Sequence, residues 1–258
     1  LIPIEKFNFD KVFKNKDLPK ILTPVTTLQK LIVVSKLGRV YNIALSNFYN
    51  SAKYLESQII LDKDDEIKKI LIEEKAKYLF LVFSSGLGKK IKLDEVLTNR
   101  RAGVQVAKEE VVDAFLIQGG ETIGTISDQG NILLFKGNLP LQGKTAKGVK
   151  IMKTKDSKII SAFVKNSDLL LLIFDQGFYK KIDLKEIKIQ NRGGSGLKLY
   201  ETKYGNLIFS SIINEEKEII FSDDKLKRIE IKKLLLTKRT QSCKKIDNIS
   251  DIKSVLLI

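Results

Sequence analysis

The chain contains no histidine and no tryptophan, and it has one cysteine, one methionine and four prolines in 258 residues. Without histidine there is no Ser-His or Cys-His nucleophile pair and no imidazole to hold a metal. Cys243 stands alone, so it builds neither an internal disulfide nor a zinc or iron–sulfur site. A single thiol fits a reducing cytoplasm. No apolar run approaches the roughly 18 residues that a membrane-spanning helix needs. No G-x-x-x-x-G-K-[ST] loop is present, which argues against a Walker-type nucleotide site. Carboxylates are scattered over alternating strand positions and turns. Asp223-Asp224 reads as one such turn, where aspartate tolerates unusual backbone angles. No converging acid pair emerges, so no catalytic residue, metal or cofactor is expected. No signal peptide opens the chain, Leu1 is not an initiator methionine, and the pattern begins part-way through a unit. The chain reads as a piece of a longer protein.

Acidic residues are also in short supply. There are 31 Asp+Glu against 46 Lys+Arg, a formal net charge of +15. An excess of this size points to a polyanion, either nucleic acid or an anionic membrane surface. Part of it follows from an Ile-, Lys- and Asn-rich composition of the kind an AT-rich genome produces. Hydrophobic residues make up 43%, enough to build a packed core.

What is present is a repeat. Gly38, Gly86, Gly130, Gly177 and Asp224 recur at gaps of 48, 44, 47 and 47 residues. Five positions after each lies an apolar residue: Ile43, Ile91, Phe135, Ile182 and Ile229. A fixed period of this length marks a propeller, solenoid or array. In the clearest copy, the apolar run Leu169–Phe174 is a strand buried on both faces. Asp175-Gln176-Gly177 is a turn, and Phe178–Leu184 returns with Ile182 and Leu184 inward. The loop Gln190–Gly196 leads to a third strand at Leu197–Tyr200 and a fourth at Leu207–Ile213. Four short strands per unit give a propeller blade that needs neighbours to cover its faces. Phe80, Phe83, Phe174, Phe209 and Phe221 belong to the core, and the charged stretch from Asp64 to Lys77 reads as turn and strand.

The turn glycine, basic return and Gln190-Asn191-Arg192-Gly193-Gly194-Ser195-Gly196 loop together resemble the C-terminal domain of bacterial type IIA topoisomerase A subunits. Gly38-Arg39-Val40-Tyr41 is similar to a second-blade hairpin of that family. The resemblance covers essentially the whole chain. It implies an all-β pinwheel, here expected to have six four-stranded blades in one domain over residues 1–258. The expected blades are 1–29 (partial), 30–77, 78–121, 122–167, 168–213 and 214–258. It implies binding of double-stranded DNA without sequence preference, on behalf of a strand-passage core that precedes this piece in the same chain. An ATPase subunit of the ParE or GyrB type would be the holoenzyme partner. The parent enzyme would use Mg2+ and ATP, neither of them in this domain, and would be cytoplasmic and nucleoid-associated. The family's Q-R-R-G-G-K-G box belongs in the first blade, where this chain reads Asn8–Lys16 with neither Arg nor Gly. That departure favours topoisomerase IV subunit ParC over the A subunit of DNA gyrase, and it argues against chiral wrapping.

The expected DNA contacts are the basic residues that recur once per blade, together with the glycine-rich loop. They are Arg39, Lys89, Lys90, Arg100, Arg101, Lys144, Lys147, Lys150, Lys180, Lys181, Gln190, Arg192, Gly193, Gly194, Gly196, Lys198, Lys227, Arg228, Lys238 and Arg239. Lys and Arg that neutralise phosphates release counterions, and glycines bring backbone N–H groups close to an anion. Arg adds a fork matched to two phosphate oxygens. A protein-binding propeller scaffold is the alternative of another class; the missing Trp-Asp dipeptide and the one-sided charge weigh against it.

Overall fold

In the computed structural model, residues 23–48, 55–73, 75–222, 226–249 and 251–258 are described. The strands are β1 (Lys30–Ser35), β2 (Arg39–Ala44), β3 (Ile67–Ile72), β4 (Tyr78–Phe83), β5 (Leu87–Lys92), β6 (Val104–Gln105) and β7 (Val111–Ile117). They continue with β8 (Thr122–Ser127), β9 (Asn131–Lys136), β10 (Val149–Lys150), β11 (Ile159–Val164), β12 (Leu169–Phe174) and β13 (Phe178–Asp183). The last are β14 (Leu197–Lys198), β15 (Leu207–Ile213), β16 (Glu218–Ser222), β17 (Leu226–Glu230), β18 (Lys244–Lys245) and β19 (Ser254–Leu257).

These strands form five small antiparallel sheets, ordered β3-β1-β2-β6, β10-β5-β4-β7, β11-β8-β9-β14, β15-β12-β13-β18 and β17-β16-β19. The fold is therefore a propeller-like array of five blades, which corrects the expectation of six. A blade is built on an apolar hairpin, and the described residues hold five of these. Residues 23–29 lead through a turn into β1, while residues 1–22, which include Asn8–Lys16, lie outside the described residues.

Neighbouring sheets meet through β3, β7, β11, β15 and β19, which lie side by side in that order. Alternate residues of each central strand face opposite neighbours. Leu79, Leu81 and Phe83 pack with Ile32 and Val34 of the first blade. Phe80 and Val82 pack with Ile123 and Phe135 of the third. Burial on both faces is why these strands read as unbroken apolar runs. The described part of the stretch from Asp64 to Lys77 forms a turn and β3, as expected.

One feature of the blades departs from the expected pattern. In the second to fifth units the third strand does not join its own sheet. It adds a two-residue strand to the outer edge of the preceding one: β6 on β2, β10 on β5, β14 on β9 and β18 on β13. The next residue then donates its N–H to the preceding turn glycine: Val106 to Gly38, Ile151 to Gly86, Leu199 to Gly130 and Ile246 to Gly177, at 2.8–2.9 Å. The periodic glycines mark this seam. A Cβ on Gly130, already at φ +74°, would lie 2.2 Å from the Tyr200 carbonyl oxygen.

Candidate nucleic-acid interface

The exchanged strands β10, β14 and β18 are each reached by a loop that crosses the outer edge of the preceding blade. Leu141, Ile189 and Leu236 form parallel bridges to Lys90, Leu134 and Lys181. The following residues anchor the crossing: Gln142 donates to the Lys90 carbonyl, Gln190 to that of Leu134 and Thr237 to that of Lys181, at 2.7–2.9 Å. Glycine then lets the loop close on the neighbour. Gly196 has φ +76°, and a Cβ there would lie 2.5 Å from the Ile132 carbonyl oxygen. In the last loop Cys243 takes this place, and burial pushes its thiol up to about 11.

Three positions after the bridge comes a cation in each of these loops: Lys144, Arg192 and Arg239. Arg101 holds the matching place in the second unit. The arginines reach back to the preceding unit. Arg101 Nη2 donates to the Ser57 carbonyl at 2.8 Å, Arg192 Nη1 to that of Lys150 at 2.9 Å and Arg239 Nη1 to that of Lys198 at 2.8 Å. Lys150 and Lys198 are the second residues of the exchanged strands β10 and β14, and both are exposed. The loop cation of one blade is thereby fixed beside the strand cation of the blade before it. Gly193 donates to the Ile151 carbonyl at 2.7 Å and Gly194 accepts from Lys153 N–H at 2.8 Å, which clamps the Gln190–Gly196 loop down.

The other expected contacts divide into two groups. Arg100, Lys144, Lys147 and Lys238 are exposed in the loops, and Lys198 is exposed while donating to the Gln129 carbonyl. Lys90 lies over the Tyr78 ring, 5.0 Å from its centroid. Arg39 is engaged by the Ala102 carbonyl and Asp62. Lys227 donates to the Asn248 carbonyl and Arg228 pairs with Glu218. Lys89, Lys180 and Lys181 are 0%, 0% and 2% exposed. They do not reach the surface, which corrects their reading as direct DNA contacts. A long side chain at an inward-facing strand position points into the seam between blades whatever its charge. Lys181 pairs with Glu215 at 2.6 Å. Burial holds the pKa of Lys89 and Lys180 below the ordinary lysine value.

A groove beside the fourth unit's loop is lined by Lys136, Lys188, Gln190, Asn191 and Arg192. Lys136 and Lys188 were not singled out from the sequence, where neither lies in the Gln190–Gly196 loop. The fifth blade differs, with a groove lined by Glu215, Glu216, Glu218, Glu230 and Lys232. Hydrogen bonds from Lys232 and Lys233 hold the Glu230 carboxyl down to about 2.

The family described as DNA gyrase C-terminal domain, beta-propeller, matches residues 77–118, 125–164 and 168–209. The chain belongs to the family of C-terminal domains of type IIA topoisomerase A subunits. It is 25% identical over 225 residues to the DNA gyrase A subunit of Mycolicibacterium smegmatis, covering 80% of this chain and 27% of that protein. It is 24% identical over 268 residues to the DNA gyrase A subunit of Ureaplasma parvum, covering 96% of this chain and 32% of that protein. The chain thus spans about a quarter to a third of these relatives' length. In fold it is similar to the C-terminal domain of DNA topoisomerase IV, with TM-score 0.77, 18% identity, and coverage of 90% of this chain and 80% of that one. The DNA gyrase A C-terminal domain gives TM-score 0.71 at 24% identity, with 90% and 83% covered. Among the described residues no helix is long and apolar enough to cross a membrane.

Proposed function

We propose that this C-terminal domain of a topoisomerase A subunit is a non-catalytic module that binds duplex DNA without sequence preference and bends it along the outer edges of its blades. The observation that carries the reading is the stitching of Arg192 to Lys150 and of Arg239 to Lys198. In the fourth and fifth blades a loop cation thus sits beside a strand cation of the blade before, which supports a track of positive charge along the array. Duplex phosphates are matched by such a track, and counterion release supplies affinity with no base readout. Phosphate pairing along a curve offsets a bending cost of about 1–6 kcal/mol. The module would present this DNA to a strand-passage core, with a ParE- or GyrB-type ATPase subunit supplying ATP hydrolysis and Mg2+ serving the core.

The topoisomerase IV type is favoured because Asn8–Lys16 contains neither Arg nor Gly. The gyrase type is the second reading, since the sequence relatives carry that name. Ligation of a nicked circle in the presence of the chain separates the two. Bending alone leaves the topoisomer distribution centred where the free circle puts it. A shifted centre means chiral wrapping and favours gyrase. Absence of duplex binding at low salt would leave the scaffold alternative.

A further inference from the structure

Beneath each basic loop lies one buried residue of the preceding blade, three positions after the turn glycine: Tyr41, Lys89, Leu133 and Lys180. A Cβ on Gly103 would meet the Tyr41 ring at 2.7 Å, and one on Gly194 would meet Leu133 Cδ1 at 3.8 Å. Lys89 instead reaches the loop with its ammonium group. Nζ donates to the carbonyls of Val106, Lys144 and Ala146 at 2.6, 2.7 and 2.6 Å. All three of its protons are engaged, none by a carboxylate. Lys180 Nζ donates to the Gln241 carbonyl at the matching place two blades on. The Lys89 ammonium is buried with no carboxylate partner, which is costly, and leucine fills the same place in the third blade. Packing alone therefore does not account for the lysines.

Their effect on the loop follows from peptide geometry. No peptide among the described residues is cis, and a trans peptide sets C=O and N–H in opposite directions. With the carbonyls of Lys144 and Ala146 turned inward, the N–H groups of Thr145 and Lys147 turn outward. Inward rotation of the Gln241 carbonyl turns out the N–H of Ser242. Thr145, Lys147 and Ser242 are exposed, and none of these three N–H groups donates to a protein acceptor among the described residues. Outward amides over a buried cation, flanked by the Lys144 and Lys147 side chains, suit an anion in the way that converging backbone N–H groups do elsewhere.

We propose that Lys89 and Lys180 are positioning residues that turn the next blade's loop into a backbone cradle for a DNA phosphate, formed by the N–H groups of Thr145 and Lys147 in one loop and of Ser242 in the other. The proposal rests on the DNA-binding reading and deepens it. It places part of the phosphate recognition on amides, which no side-chain motif encodes.

The test has two parts, both on the 258-residue chain. In the first, the amide resonances of Thr145, Lys147 and Ser242 are followed by NMR during titration with a random-sequence duplex. They are expected to move with the binding curve. In the second, duplex affinity against salt is compared for wild type and Lys89→Leu, which copies the third blade. The variant is expected to bind about fivefold more weakly at moderate salt, with a slope of log K on log salt shallower by about one phosphate contact. A packing role alone would lower thermal stability and leave the slope as it was. Binding with the three amides unmoved overturns the cradle, and so does an unchanged slope in a folded variant. Failure of the wild type to bind duplex overturns the DNA reading and the cradle with it. If Lys89→Leu does not fold, the wild-type amide shifts decide.

Discussion

The three loop arginines offer the sharpest measurement. Arg101, Arg192 and Arg239 each use one donor on a backbone carbonyl of the preceding unit. A guanidinium has five N–H donors, so each keeps enough to grip a phosphate. Replacing all three with alanine removes about three phosphate contacts. The slope of log K against log salt should then become shallower by about 2.7. Between about 50 and 200 mM salt, the affinity drop should shrink by a factor of about 40 relative to wild type, because a fourfold salt change is raised to that power. Stability should change little. Each substitution removes one solvent-accessible hydrogen bond to a carbonyl, at the low end of about 0.5–1.5 kcal/mol. A few degrees of Tm is the expected sum for a domain of this size. Fluorescence anisotropy with a labelled random duplex reads the slope, and calorimetry reads the Tm. The control is Lys63→Ala, Lys155→Ala and Lys217→Ala together, all exposed outside the basic loops. Its slope should match wild type. If the control flattens the slope as much as the arginine triple does, total charge governs binding and the reading of an ordered track fails.

Two further predictions concern the fold and its response to acid. A Cβ on Gly124 would lie 2.1 Å from Phe163 Cζ, and Phe163 is buried in the seam between the third and fourth blades. Gly124→Ala should destabilise by about 1–3 kcal/mol as overpacking, and markedly less in a Phe163→Ala background; additive effects in a denaturant-unfolding cycle would refute the contact. Glu230 has a depressed pKa, so its pairs with Lys232 and Lys233 stabilise the fold above the ordinary glutamate pKa of about 4.3 and lose that effect as pH falls toward about 2. The Tm gap between wild type and Glu230→Gln should therefore be present at about pH 6 and close by about pH 2; a gap independent of pH would mean these pairs contribute nothing.

The repeat and the all-β array were legible in the sequence because a blade has a local signature. An apolar strand, a turn glycine and an alternating return lie close together in the chain, and period-2 patterning exposes them. The Gln190–Gly196 loop was legible for the same local reason. The expected sixth, partial blade at 1–29 rested on strand spacing alone, and spacing does not say which residues pair into a sheet. Lys89 and Arg192 are equally basic in the sequence, yet one is sealed in a seam and the other stands at the edge. What separates them is the path of the next unit's chain.

The sequence by itself determined the hairpins, their period, the basic excess and the loops that break the strands. Each of these depends on residues close together in the chain, where side-chain alternation and glycine's freedom act directly. Only the tertiary structure decided which sheet each short third strand would join. It also decided which cations the crossing loops would cover and which carbonyls would turn inward to meet a buried ammonium. Those outcomes follow from contacts between residues some 40 to 70 positions apart, and packing between blades, rather than any local preference, selects them.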